Sequence, residues 1–172
     1  MTQPLSIVLG WMLVQVEETI AKIVIDPKTK QIIDTTFYKR NFRFKCKRCA
    51  AFCCKLGGPN LTEKDVQRIK KAGYIRDDFL NLGKRDDGSC VFLRFDDKLK
   101  MYECSIYDVR PALCRIYPFE FERINSNSIL LKFIPCCRGL NSPDGELVDE
   151  RFVSDYLLNA ILEILTHEIA SI

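Results

Sequence analysis

The chain is poor in the usual equipment of enzymes. Its 172 residues contain one histidine, His167. A hydrolytic triad needs an imidazole held beside a nucleophile, and His167 falls on the last turn of the C-terminal segment with no partner in view. It reads as a solvent-facing residue that complements the end of a helix dipole. No glycine-rich phosphate loop or dinucleotide fingerprint occurs. No apolar run reaches membrane-spanning length, because Glu17 and Glu18 close the one candidate. That candidate, Leu5 to Val16, has no basic lead and no small-residue cleavage site, so it is not read as a secretory signal and cytoplasm is the expected compartment. The net charge of +3 is mild and gives little push toward nucleic acid. Internal repeats and low-complexity tracts are missing too, and the length suits one domain with a real core.

Cysteine is what the chain has in abundance. Nine stand at Cys46, Cys49, Cys53, Cys54, Cys90, Cys104, Cys114, Cys136 and Cys137. The densest run is Cys46-Lys-Arg-Cys49-Ala-Ala-Phe-Cys53-Cys54. A disulfide framework needs an oxidising compartment, and an odd count would leave one thiol over. Free cysteine packs as a small hydrophobe, which accounts for one or two positions but not for four within nine residues. The Cys-x2-Cys pair brings two sulfurs toward one point, as metal knuckles require, so thiolate ligation of metal is the favoured reading.

The rest of the chain frames this cluster. Apolar residues from Leu5 to Val24 recur near a 3.6 period and predict a helix over 4–24. Asp26 to Lys30 predicts a turn, and Gln31 to Tyr38 an extended segment. Thr62-Glu-Lys-Asp65 resembles a capping box opening a helix through Lys71, with Gly73 as its stop. A short helix is expected near 75–82, a strand at Cys90 to Leu93, a turn at Asp96 to Lys98 and a returning strand at Met101 to Cys104. Phe119 to Ile124 and Ile129 to Ile134 predict a hairpin. Residues 149–170 predict an amphipathic helix burying Val153, Leu157, Ile161, Ile164, Leu165 and Ile169. The expectation is an α+β fold: a single domain over 1–172, with a helix-and-strand extension (1–41), a loop-dominated metal-binding core (42–140) and a C-terminal helix (141–172).

The middle of the chain carries a more specific pattern. Phe44-Lys-Cys46-x2-Cys49-x3-Cys53-Cys54 is followed by Leu61-Thr62-x2-Asp65 and Cys90-x-Phe92-Leu93. Then come Cys104-Ser-Ile-Tyr107-x2-Arg110-Pro-x2-Cys114-Arg115-x-Tyr117-Pro-Phe119 and Cys137-Arg-Gly139-Leu140. This resembles the YkgJ-type cysteine-cluster family, described as zinc- or iron-chelating domains with eight characteristic cysteines. The resemblance covers about residues 42–140 and implies as metal ligands Cys46, Cys49, Cys53, Cys54, Cys90, Cys104, Cys114 and Cys137. It leaves Cys136 over. Members often carry two residues before the adjacent cysteine pair, where this chain has Ala50-Ala51-Phe52, and often show Cys-Pro-Gly where it has Cys137-Arg138-Gly139.

Four-cysteine zinc sites usually come as two separated knuckles, and this chain has one. Iron–sulfur clusters accept less regular spacings. Spacing and resemblance together favour an iron–sulfur cluster with an electron-transfer or accessory role. Two alternatives stand: a zinc-stabilised interaction module for protein or nucleic acid, and a methyltransferase-like enzyme, since a relative with this cysteine pattern acts as a flagellin lysine methylase. Lys39, Arg40, Arg43, Lys45, Lys47, Arg48 and Lys55 surround the cluster, where cations offset the charge of a thiolate-bound metal. Arg110 and Arg115 are candidates to donate to ligand sulfurs. Phe37, Tyr38, Phe42 and Phe44 interleave with the cations, which would suit single-stranded nucleic acid, but core-facing rings are the favoured reading.

Overall fold

The computed structural model describes residues 18–48, 54–55, 57–74 and 83–170, with residues 167–170 described by backbone alone. Its elements, in chain order, are β1 (Thr19–Ile25), β2 (Ile32–Phe37), β3 (Arg43–Phe44), α1 (Glu63–Lys71), β4 (Leu93–Asp96) and β5 (Met101–Cys104). They are followed by α2 (Ala112–Ile116), β6 (Phe119–Arg123), β7 (Ser128–Phe133), β8 (Glu146–Leu147), α3 (Glu150–Phe152) and α4 (Leu158–Ala170). A π-helical turn, Val153–Leu157, joins the last two. The mixture is α+β, as expected.

A four-stranded antiparallel sheet in the order β2-β1-β7-β6 forms one half of the molecule. Its central strand corrects the sequence reading. A helix was expected over 4–24, yet Thr19–Ile25 is a strand, with Ile23 paired to Thr35 on one side and Ile129 on the other. Residues 4–17 of that expected helix lie outside the described residues. Ile20, Ile23 and Val24 fit a helical spacing, but a short apolar run does not choose between periods. Three isoleucines and a valine in seven residues suit a pleated surface, and two flanking partners complete the ladder. The turn before β2 is built by Asp26, whose Oδ1 accepts the N–H groups of Lys28 at 2.7 Å and Thr29 at 3.1 Å.

The sheet and the final helix bury one core. Ile20, Ile23, Phe119, Ile129 and Leu131 from the strands meet Phe152, Val153, Leu157, Ala160, Ile161 and Ile164. Burying each large aliphatic chain contributes about 2 kcal/mol, so much of the fold's stability gathers here. No cysteine belongs to this core among the described residues. Asp149 caps the helix by accepting the Phe152 N–H at 2.9 Å.

A second, smaller core lies around the cysteine-bearing loops. It joins Cys54, Leu61, Val66, Ile69, Cys90, Leu93 and Ile106. Helix α1 starts as its sequence dictates: Thr62 Oγ1 accepts the Asp65 N–H at 3.1 Å, and Asp65 Oδ2 accepts the Thr62 N–H at 3.0 Å. It stops at Gly73, whose φ of +81° costs a glycine little. The strand expected at Cys90 to Leu93 begins only at Leu93, because the Leu93 N–H turns back to the Cys90 carbonyl at 3.0 Å. The short helix expected near 75–82 lies outside the described residues.

Candidate metal centre

Four separate elements carry thiols to one place. Cys46 follows β3, which is fixed by pairing Arg43 with Leu147 and Phe44 with Glu146. Cys54 sits in a turn whose carbonyl accepts the Cys90 N–H at 2.8 Å. Cys104 ends β5, opposite Leu93. Cys114 rides in α2, behind a 3-10 turn at Tyr107–Val109. Cys46, Cys54, Cys104 and Cys114 all line one cavity of about 290 Å³, together with Arg48, Tyr102, Glu103, Tyr107, Asp108 and Arg110.

The remaining cysteines are placed differently. Cys90 is 5% exposed and belongs to the small core behind Cys54. Cys137 lies off the cavity, accepting the Gly139 N–H on its sulfur at 3.4 Å. Its loop nevertheless lies against the Cys46 segment, since the Lys45 N–H donates to the Gly139 carbonyl at 3.0 Å. Gly139 permits that approach: a Cβ there would stand 2.3 Å from the Lys45 carbonyl oxygen. Cys136 is exposed. Cys49 and Cys53 lie outside the described residues.

The residues on the cavity fit a thiophilic group. The four cysteines give a soft donor set, and the cavity they border is larger than a single ion. Among the described residues, no three acidic, histidine or cysteine side chains are gathered closely enough to hold one ion as they stand. The walls carry both signs of charge, Arg48 and Arg110 beside Glu103 and Asp108. The Tyr107 ring carries the Arg110 guanidinium 3.9 Å from its centroid and that of Arg48 at 4.8 Å, while Lys55 lies 5.1 Å from the Tyr102 ring. Among the described residues neither Arg48 nor Arg110 makes an ion pair, so both charges are available to offset thiolates.

Four other cations of the segment, Lys39, Arg43, Lys45 and Lys47, are committed to the chain itself. Lys45 and Lys47 hold Asp144 at 2.7 and 3.0 Å. Together with the Ser142 hydroxyl they keep its carboxyl well below the usual range, Lys45 having the largest effect. Arg43 donates to the Gly145 carbonyl at 2.8 Å, and Lys39 lies over the Phe133 ring. The interleaved rings mostly turn inward, Phe42 into the main core and Phe37 and Phe44 against it, while Tyr38 is exposed.

A charge network holds α2, and with it Cys114. Buried Asp65 accepts the Ala112 N–H and pairs with Arg68, which also reaches Glu163 at 3.2 Å. Glu163 takes Arg115 at 2.5 Å as well. Arg115, a candidate to donate to sulfur, thus directs one of its terminal nitrogens to a carboxylate on α4.

Residues 45–144 match the CxxCxxCC family model, described as a "putative zinc- or iron-chelating domain". The chain belongs to this family. An uncharacterized protein of Methanocaldococcus jannaschii is 34% identical over 132 residues, covering 67% of this chain and 68% of its own. No solved structure matches. The CxxCxxCC assignment agrees with the YkgJ-type resemblance and supports metal binding, while leaving zinc and iron both open. No helix among the described residues of this CxxCxxCC chain is long and apolar enough to cross a membrane.

Two site features of this CxxCxxCC chain went unread in the sequence. Tyr107 was read only as part of the motif, not as the ring on which two arginines stack. Glu163 stands between Leu162 and Ile164 in the apolar final helix, and a charge so placed signals a buried partner.

Proposed function

We propose that this CxxCxxCC chain holds an iron–sulfur cluster and serves as an electron-transfer or redox accessory protein in the cytoplasm. The observation that carries the reading is the shared cavity of Cys46, Cys54, Cys104 and Cys114. A lone zinc ion sits about 2.3 Å from each thiolate and draws four sulfurs into a closed tetrahedron. A cavity of about 290 Å³ bordered by four thiols suits a polyatomic group better. Bound there, the cluster supplies one-electron transfer. The protein's own residues bind and tune it. Arg48 offsets the thiolate charge, and the apolar side chains around Cys54 and Cys90 exclude water.

Cys49, Cys53, Cys90 and Cys137 complete the proposed set of eight. Cys90 packs behind Cys54, and Cys137 is tied to the Cys46 segment through Gly139. From these places they extend or support the same centre. Protein purified without oxygen should be brown, absorb in the visible, and contain iron with acid-labile sulfide. Colourless protein with stoichiometric zinc would replace this reading with the zinc-stabilised interaction module.

A further inference from the structure

Beside the thiol cavity lies a second and larger one, of about 480 Å³. The two share Cys46, Tyr107 and Arg110. The second cavity lies within the size range of small-molecule sites. Its walls include three phenylalanine rings packed edge to face: Phe44 and Phe119 at 5.2 Å, Phe119 and Phe152 at 5.7 Å. Tyr156 extends this aromatic wall, 5.1 Å from Phe152. Such surfaces favour a flat apolar body.

The charges around the cavity indicate what else the occupant carries. Asp144 is occupied by two lysines and the Ser142 hydroxyl. Glu146 accepts the Tyr156 hydroxyl at 3.3 Å. Arg115 is paired with Glu163 at 2.5 Å. Arg110 only stacks on Tyr107 and has no ion pair among the described residues. Of the cations on this cavity, Arg110 is therefore the one without an acidic partner among the described residues, and its guanidinium stands at the end common to both cavities. One guanidinium matches the two oxygens of one carboxylate. A phosphate ester, with nearly twice the charge, would call for more than one uncommitted cation.

We propose that this second cavity is a binding site for a small carboxylic acid with an aromatic or other flat apolar body. The phenylalanine and tyrosine rings take the body, and Arg110 takes the carboxylate. Bound this way, the acid group lies beside Cys46, and whatever occupies the thiol cavity senses the ligand. The site stands whichever metal the thiols bind.

The test uses anaerobically purified full-length protein with its own metal, titrated by calorimetry with 3-phenylpropionate, its amide and the corresponding amine. The acid should bind at least tenfold more tightly than the amide or the amine. Arg110→Gln should weaken the acid at least tenfold, and Arg110→Lys should recover part of the loss. If Arg110→Gln fails to fold or loses metal, the comparison of acid, amide and amine on the unaltered protein still decides. The proposal is overturned if the acid does not bind, if amide or amine binds as well, or if a folded Arg110→Gln protein binds the acid undiminished.

Discussion

The carboxylate of Asp65 accepts a hydrogen bond at 2.8 Å from the backbone N–H of Ala112, 47 residues further along the chain. It therefore does two tasks, closing the capping box of α1 and anchoring the start of α2, two residues before Cys114.

Asp65→Ala should cost about 3 kcal/mol, because it strips partners from a buried carboxylate site and leaves Arg68 with one acidic partner fewer. Asp65→Asn should cost less, since its amide oxygen still accepts from Ala112. Both variants should retain less metal, Asp65→Ala the more so. Urea melts and metal analysis on the same samples check this. Lost stability with full metal retention would show that Cys114 is positioned by other contacts.

Cysteine replacements should separate donors from bystanders. Cys46→Ser, Cys104→Ser and Cys114→Ser each remove a thiol from the shared cavity. They should lower metal content and yield of soluble protein, because metal binding is linked to folding of the loops. Cys136→Ser alters an exposed side chain and should leave both unchanged. A drop with Cys136→Ser and none with Cys137→Ser would reverse the roles of that pair.

Gly139→Ala tests the approach of the last cysteine loop to the first. Its new methyl group would meet the Lys45 carbonyl oxygen at 2.3 Å, and backbone cannot step aside as a side-chain tip does. The cost should be on the order of 1–3 kcal/mol. A denaturant midpoint equal to the parent's would mean that the two segments are not held this closely.

Asp144 should stay ionised in unusually strong acid. Its folded carboxyl titrates below the usual 3.8, chiefly through Lys45 and then Ser142 and Lys47. A depressed carboxylate contributes throughout the pH range above its unfolded value and loses that contribution only as pH falls through the folded value. Side-chain carboxyl NMR near pH 3 should find it charged, and Lys45→Ala should move its titration upward. The group is more than half exposed, so its effect on stability should be small.

Local chemistry was legible in the sequence where a few neighbouring residues decide the outcome. Thr62 and Asp65 announce the start of α1, and Asp149 opens the final helix. The hairpin of Phe119–Arg123 and Ser128–Phe133 follows from its own residues. β1 was not legible, because Ile20, Ile23 and Val24 satisfy a helical period until β2 and β7 supply partners on both sides. The candidate site was legible as a set of proposed thiol ligands but not as a shape. That Cys46, Cys54, Cys104 and Cys114 border one cavity depends on pairings such as Phe44 with Glu146 and Asp65 with Ala112, which span about 50 to 100 residues of chain. The same distance hid Glu163, whose partners come from α1 and α2.

The division into two cores bears on the life of the chain in a cell short of metal. The sheet and final helix bury their side chains without any cysteine among the described residues. The smaller core has Cys54 and Cys90 in its interior and Cys104 against it. Starvation should therefore yield a half-assembled molecule, with one part native and the other opening on its own. Such a molecule offers proteases the elements of the smaller core while the sheet and final helix resist. Its abundance would then follow the metal supply through selective turnover.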